Sequence, residues 1–531
     1  MEQQQDQQKR LLIALVLTFL VLVMFEMINP ASTPKVDTNN TASTAPAVNQ
    51  TPNAVTTQSV PSSSSVAAAP ESGSVAPVSI INALSTIKSD KFVISIDKIG
   101  RIAQVRLLED KYKYEGKELE LLNPSWVRPL EVRFADTALN EEALKTPYTA
   151  STSVVDLMSG DQTLTLTQKL SSTTVTKRIT FYEDGHYDLT ITLSTPQQYF
   201  VTTGQRPDAD HTMYMVVHGS MIRKSNATSE VIEDGDAKGS LTFPNAKFAS
   251  AFDRYYASIL YDFDKPINVS SLAIDDGKAL LFVQGEQNLD IHGYIGPKDY
   301  ATLYNINPEL TEAIEYGWFT FIAAPLFKVL LWFYNYVGNW GWAIVIVTLI
   351  IKLILFPLSY KGMMSMNKLK DLAPKMKEIK EKYSKDPQKM NAQMMELYRK
   401  HGANPMGGCL PLLLQIPIFF AIYRVLLNAV ELQGAEWILW ITDLSAEDPY
   451  YVLPILMGAS MWYQQKLTPN TMTDPMQQKI FQFLPVLMTA FFIFFPSGLV
   501  LYWLVNNLFT IGQQYVINKS YEKKKALQTN K

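Results

Sequence analysis

The sequence carries one cysteine, Cys409, in 531 residues. That excludes an intrachain disulfide framework but leaves the compartment open, since an exported domain needs no disulfide. Histidine is almost as scarce. His186, His211, His218 and His292 are scattered without metal-ligand spacing and read as solvated side chains. Nucleotide and hydrolase signatures are missing too: no glycine-rich Walker loop, no His-Glu-x-x-His, no Gly-x-Ser-x-Gly and no paired aspartates in the apolar segments. Ser497, within Phe495-Pro-Ser-Gly498, sits in turn chemistry. The chain reads as not an enzyme, with no cofactor and no metal. Excess charge is also absent, and a formal net charge of −3 gives no sign of nucleic-acid specificity.

A near-zero mean hydropathy averages a polar first half and a very apolar second half. Residues 1–29 hold a polar start ending in Lys9-Arg10, then the apolar run Leu11–Phe25. This is either a cleaved signal peptide or an uncleaved anchor; the poor cleavage site favours an N-terminal signal-anchor helix. Residues 30–88 lack aromatics and have few charges, so they cannot offset their ordering entropy and read as a disordered linker. Residues 89–315 alternate with period two, as in His186–Leu193, between turns such as Glu183-Asp-Gly185. Many short strands predict a large β-sandwich.

Residues 316–340 are aromatic and contain Pro325 and Lys328. They form either a span or, as preferred here, an interfacial amphipathic helix. Apolar spans are expected at 341–360, 408–431, 450–466, 480–496 and 498–516. The fold class is thus a polytopic α-helical membrane protein, a five-helix core plus the anchor, with the β domain attached. Several spans fall near or below the ~20 residues a bilayer needs, which suggests thinning or tilt. The 361–407 segment is rich in lysine and arginine, as is the 517–531 tail, whereas the 432–449 loop is acidic. By the positive-inside rule 361–407, the 467–479 loop and both termini face the cytoplasm, and the β domain lies outside. Apolar positions Leu369, Leu372, Met376 and Ile379, then Met390, Met394 and Leu397, step by three and four around Ser384–Pro387. They predict a helical hairpin, with Met376, Met390, Met394 and Met395 offering a soft surface for apolar partners.

One charge organises the apolar half. Lys352 lies inside the expected 341–360 span, where a cation costs about 2.5–3.5 kcal/mol. It either snorkels or faces a wet cavity. Thr348, Gln415, Ser460, Gln464, Thr489, Tyr502 and Asn506 are further polar groups on the core spans, and Ser460/Gln464 and Tyr502/Asn506 are each one helical turn apart. Any single one serves equally as a helix–helix hydrogen bond; together they favour a shared hydrated groove. No acidic residue on the core spans stands ready to pair with Lys352.

Asn404–Phe419, Asp443–Tyr451, Asp474–Lys479 and Phe495–Tyr502 closely resemble the YidC/Oxa/Alb family of membrane insertases, and the anchor, tether and β domain match its Gram-negative layout. The resemblance is strong over 316–516. It implies a multi-pass protein of the bacterial inner membrane, a periplasmic β-supersandwich, and a groove open to cytoplasm and lipid. It also implies nascent membrane proteins as substrates, in the lipid bilayer, alone or with the Sec translocon and its accessory subunits, and delivery by the ribosome and signal recognition pathway. The family's groove charge is typically arginine; here Lys352 stands there without the planar fork. Thr348 matches a polar groove position, and Trp503 falls where relatives carry tyrosine. Arg424 has no assigned role. A secondary transporter using Lys352 as a coupling charge would need broken midplane helices and inverted repeats, and neither pattern is seen in the sequence.

Overall fold

Residues 83–113, 116–210, 216–384, 386–402, 410–468 and 475–529 are described by the structure, a computed structural model. The expected anchor, almost all of the linker, His211, Cys409 and the start of the Asn404–Phe419 motif lie outside the described residues.

The alternation of apolar and polar residues produces two sheets. The smaller has five strands, ordered in space Leu119–Glu120, Ile102–Leu107, Phe92–Ile96, Ser85–Lys88 and Val154–Asp156. Its Ser85–Lys88 strand falls within the stretch read as linker. It pairs with Phe92–Ile96 and buries Ile87 completely, so the β domain takes in the end of that stretch. The larger sheet has 13 strands, with Ser240–Phe252, Tyr256–Tyr261 and Asn288–Pro297 near its centre. Along Thr174–Phe181 and His186–Leu193 every second side chain points into the space between the sheets. A buried ionic network crosses that space: Arg101 bonds Asp97 and Glu131, Glu131 also holds Arg133, and Arg128 reaches Asp97. Lys177 donates to the carbonyls of Gly100 and Leu130, and burial pushes its ammonium down to about 7.

Of the histidines read as merely solvated, His186 pairs with Asp184 and His292 with Asp188, while His218 lies 3.7 Å from Asp210. Each found a carboxylate that sequence spacing does not reveal. Among the described residues no group of three candidate ligands is placed to hold a metal ion.

The β domain contains helices α1 (Thr137–Lys145) and α2 (Tyr300–Ile306). The remaining helices are α3 (Thr320–Val337), α4 (Trp340–Ile354), α5 (Phe356–Lys382), α6 (Pro387–Lys400), α7 (Leu410–Asn428), α8 (Val452–Leu467), α9 (Pro475–Phe492) and α10 (Ser497–Thr529). Gly338, left-handed at φ +65°, ends α3, and the Asn339 side chain caps α4 by accepting the Trp342 N–H. By length and hydropathy α3 is the one described helix able to cross a membrane alone, and α4 with α5 qualifies as a pair bent by 63°.

Among the helices, four boundaries differ from the sequence reading. The span expected at 341–360 breaks at Leu355, because Pro357 cannot continue the α4 hydrogen-bond ladder and instead opens α5. The segment read as a loop up to 479 is helical from Pro475, and α9 ends at Phe492 rather than 496. The segment read as a separate tail continues α10 to Thr529, since no proline interrupts it.

One apolar cluster runs from the β domain into the helices, through Phe252, Tyr294, Tyr316, Phe327 and Trp340. Polar contacts reinforce this junction. Arg254, in the turn between two central strands, donates from Nε to the Leu427 carbonyl at 2.6 Å. Tyr256 donates to Gln433 at 3.0 Å, and Asn428 to the Glu315 carbonyl at 3.1 Å. Arg424, unassigned from sequence, is buried near the turn at Gly317. Burial pushes the nearby Glu233 carboxyl up to about 7, while the Arg424 charge acts in the opposite sense.

Candidate functional site

Five helices converge on a cavity of about 380 Å³. Its wall carries Lys352 from α4, Gln415 and Phe419 from α7, Met461 and Gln464 from α8, Phe481 and Leu484 from α9, and Tyr502, Trp503, Asn506, Asn507 and Thr510 from α10.

Lys352 belongs to the last turn of α4, where unpaired carbonyls and the helix dipole favour a cation. That placement exists only because the helix breaks at Leu355. The side chain is buried, at 6% exposure, and its ammonium donates to Thr510 Oγ1 at 3.0 Å and to Gln415 Oε1 at 3.5 Å. Gln415 in turn donates to Asn506 Oδ1 at 3.0 Å, and Thr510 to the Asn506 carbonyl at 2.7 Å. The charge is therefore held by neutral groups. Among the described residues no carboxylate forms an ion pair with it. Neutral acceptors are weaker partners than a carboxylate, so an incoming anionic group competes for the ammonium on favourable terms.

The other residues singled out from sequence divide. Gln415, Gln464, Tyr502, Trp503 and Asn506 line the cavity with Lys352. Thr348 does not; it is buried and donates to the Ile344 carbonyl of its own helix at 2.7 Å. Ser460 likewise donates to the Met457 carbonyl and accepts from Asn507 at 3.2 Å, serving the contact between α8 and α10. Thr489 donates to the Pro485 carbonyl. Three of the hydroxyls thus satisfy local carbonyls, as short side chains in apolar helices do. Trp503 sits between Phe419, edge-to-face at 4.7 Å between ring centroids, and Phe492, tilted at 4.9 Å.

Thr510, the nearest partner of Lys352, was not singled out from sequence. The signal was present, because Thr510 continues the Tyr502/Asn506 step of four. The apolar side, Phe419, Met461, Phe481 and Leu484, carries no sequence signal that separates it from ordinary lipid-facing residues.

The back of the site is closely packed. A Cβ added to Gly458 on α8 would meet Thr489 Oγ1 at 1.8 Å, so α8 and α9 approach through a glycine. Gly458→Val is expected to cost about 1–3 kcal/mol of stability by overpacking. Thermal unfolding in detergent reads that loss, and an unchanged midpoint would show that the two helices separate freely.

In the hairpin, Leu369 and Leu372 are buried against Met366, Met376, Leu397 and Tyr398. Tyr398 points its hydroxyl at the Met376 sulfur, 3.8 Å away. Met390 and Met394 are half-buried and Met395 is exposed, leaving soft apolar surface. Ser497 donates its hydroxyl to the Ala446 carbonyl at 2.9 Å and is spent in the turn that starts α10.

Two family descriptions match the chain: "60Kd inner membrane protein" over residues 332–525 and "YidC periplasmic domain" over 84–329. Relatives named membrane protein insertase YidC are similar over nearly the whole length. That of Campylobacter jejuni is 48% identical, covering 99% of this chain and 98% of the relative. That of Helicobacter pylori strain 26695 is 46% identical, covering 98% and 97%. The relative from Wolinella succinogenes is 53% identical over 83% of each chain. Among solved structures, a crystal structure of an active YidC insertase with its first transmembrane domain resolved matches at 20% identity and a TM-score of 0.36, covering 81% of this chain and 94% of that one.

Proposed function

The chain belongs to the YidC family of membrane protein insertases, and from that premise we propose that the five-helix cavity is the insertion groove and Lys352 its working charge. The observation that carries this reading is the Lys352 ammonium, held by Thr510 and Gln415 on a wall otherwise rich in aromatic and aliphatic side chains. A nascent apolar segment with a short polar flank meets the methionine surface of the hairpin. Its flank enters the cavity and displaces Gln415 or Thr510 from the ammonium. Its apolar part leaves between α7 and α10 into lipid. Water in the cavity and a bilayer thinned by short helices lower the cost of carrying the flank inward. In this reading α5, α6 and the end of α10 face the cytoplasm and the β domain faces the periplasm, as the distribution of lysine and arginine supports. The basic hairpin meets the ribosome and its targeting partners, and the Sec translocon receives the substrates that need both.

Crosslinking to ribosome-bound nascent chains tests it. A photoreactive side chain at Trp503 or Gln464 is expected to capture a single-span substrate, and one at Thr348 is not, because Thr348 is buried outside the cavity lining. Equal capture at all three positions, or at none, would sink the assignment of this cavity as the substrate path.

A further inference from the structure

α10 is a single unbroken helix from the cavity to Thr529. Below Asn506 and Thr510 its residues Gln514, Asn518, Tyr521 and Lys525 follow at helical steps of four, four, three and four, so they share one face with the cavity residues. That face grips α5. Asn367 Nδ2, 5% exposed, donates to Asn518 Oδ1 at 2.9 Å, and Gln514 donates to the same oxygen at 2.7 Å. Asn518 donates onward to the carbonyl of Leu467, the last residue of α8, at 3.3 Å. One turn along, Asp371 accepts from Tyr521 at 2.8 Å and pairs with Lys525 at 2.7 Å. The hairpin's apolar cluster, by contrast, is formed by α5 and α6 alone. A half-exposed ion pair contributes little by itself. The part-buried Asn367–Asn518 bond beside it supplies the register, because separating the two takes this acceptor from the buried Asn367 amide.

We propose that Asn367 and Asp371 are positioning residues for insertion: they strap the hairpin to the same helix face that presents Asn506 and Thr510 to the cavity, so that hairpin and cavity act as one unit. This rests on the insertase reading above. The strap fixes where the soft methionine surface stands relative to the mouth of the cavity, which a self-packed hairpin on a free hinge at Leu355 does not.

The test uses the full-length protein in lipid. Spin labels are placed through Lys389→Cys on the hairpin and Lys523→Cys on α10, in a Cys409→Ser background. A narrow distance distribution is expected. Asn367→Ala combined with Asp371→Ala should broaden it and lower insertion of a single-span substrate about fivefold or more. Asn367→Cys combined with Asn518→Cys should insert poorly while unbridged, and bridging by a short thiol crosslinker should raise insertion towards the level of the unsubstituted protein, since a fixed strap is the working state. An unbroadened distribution in the double alanine variant, unchanged insertion despite broadening, or no rise in insertion on bridging would each overturn the proposal. The distance readout does not depend on insertion, so a failure of the insertase reading is distinguishable from a failure of the strap.

Discussion

Replacing Lys352 by leucine will lower insertion of a single-span substrate with a short acidic flank by about tenfold or more. Among the described residues the ammonium faces only neutral acceptors, Thr510 and Gln415, so a passenger carboxylate gains a charge-assisted bond when it takes their place. Such a bond contributes about 1.5–3 kcal/mol, and every 1.4 kcal/mol is about a factor of ten. Glutamate at the same position should depress insertion further, because like charges repel in a low-dielectric site. Arginine should restore near-normal activity, with its planar fork gripping the flank in two places. The measurement is membrane integration scored by protease protection, with a substrate of uncharged flank as control. That control should respond weakly to all three changes. Equal activity of the leucine, glutamate and arginine variants would remove the charge from the mechanism.

Arg254→Met should loosen the junction between the β domain and the helical core without unfolding either. Arg254 is 1% exposed, its Nε caps the Leu427 carbonyl, and its guanidinium lies 4.3 Å from the centre of the Tyr255 ring. Leu427 belongs to the last turn of α7, where carbonyls have no partner within the helix. Losing a hydrogen bond from a charged donor costs about 1.5–3 kcal/mol, and the abandoned carbonyl adds its own desolvation penalty. Hydrogen exchange should rise at residues 252–256 and 427–433, while the strands around the Asp97–Arg101–Glu131 network stay protected. Arg254→Lys, which keeps a donor, should lie between the two. If protection at the junction is unchanged in Arg254→Met, the apolar contacts alone hold the domains together and the arginine is incidental.

Much of this architecture is legible in residue order. Period two between glycine turns announces the β domain, steps of three and four announce the hairpin, and a lysine in an apolar run points to the candidate site. What escaped was local. Thr348 and Ser460 read as groove residues, yet each hydroxyl is satisfied by its own helix, and helical spacing does not reveal which carbonyl a hydroxyl chooses. Thr510 continues the Tyr502/Asn506 step of four, but that spacing does not reveal that its hydroxyl meets Lys352, 158 residues away in sequence. The break at Leu355 is foreshadowed by Pro357, but an apolar window averages across a proline.

Periodicity and charge placement, being properties of neighbours along the chain, suffice for the two-part plan, the hairpin and the position of the buried cation. Which groups surround that cation, which face of α10 grips α5, and how Arg254 reaches Leu427 depend on helices far apart in sequence. Those contacts exist only once a shared apolar core has set the helices against one another, and no local pattern encodes the pairing.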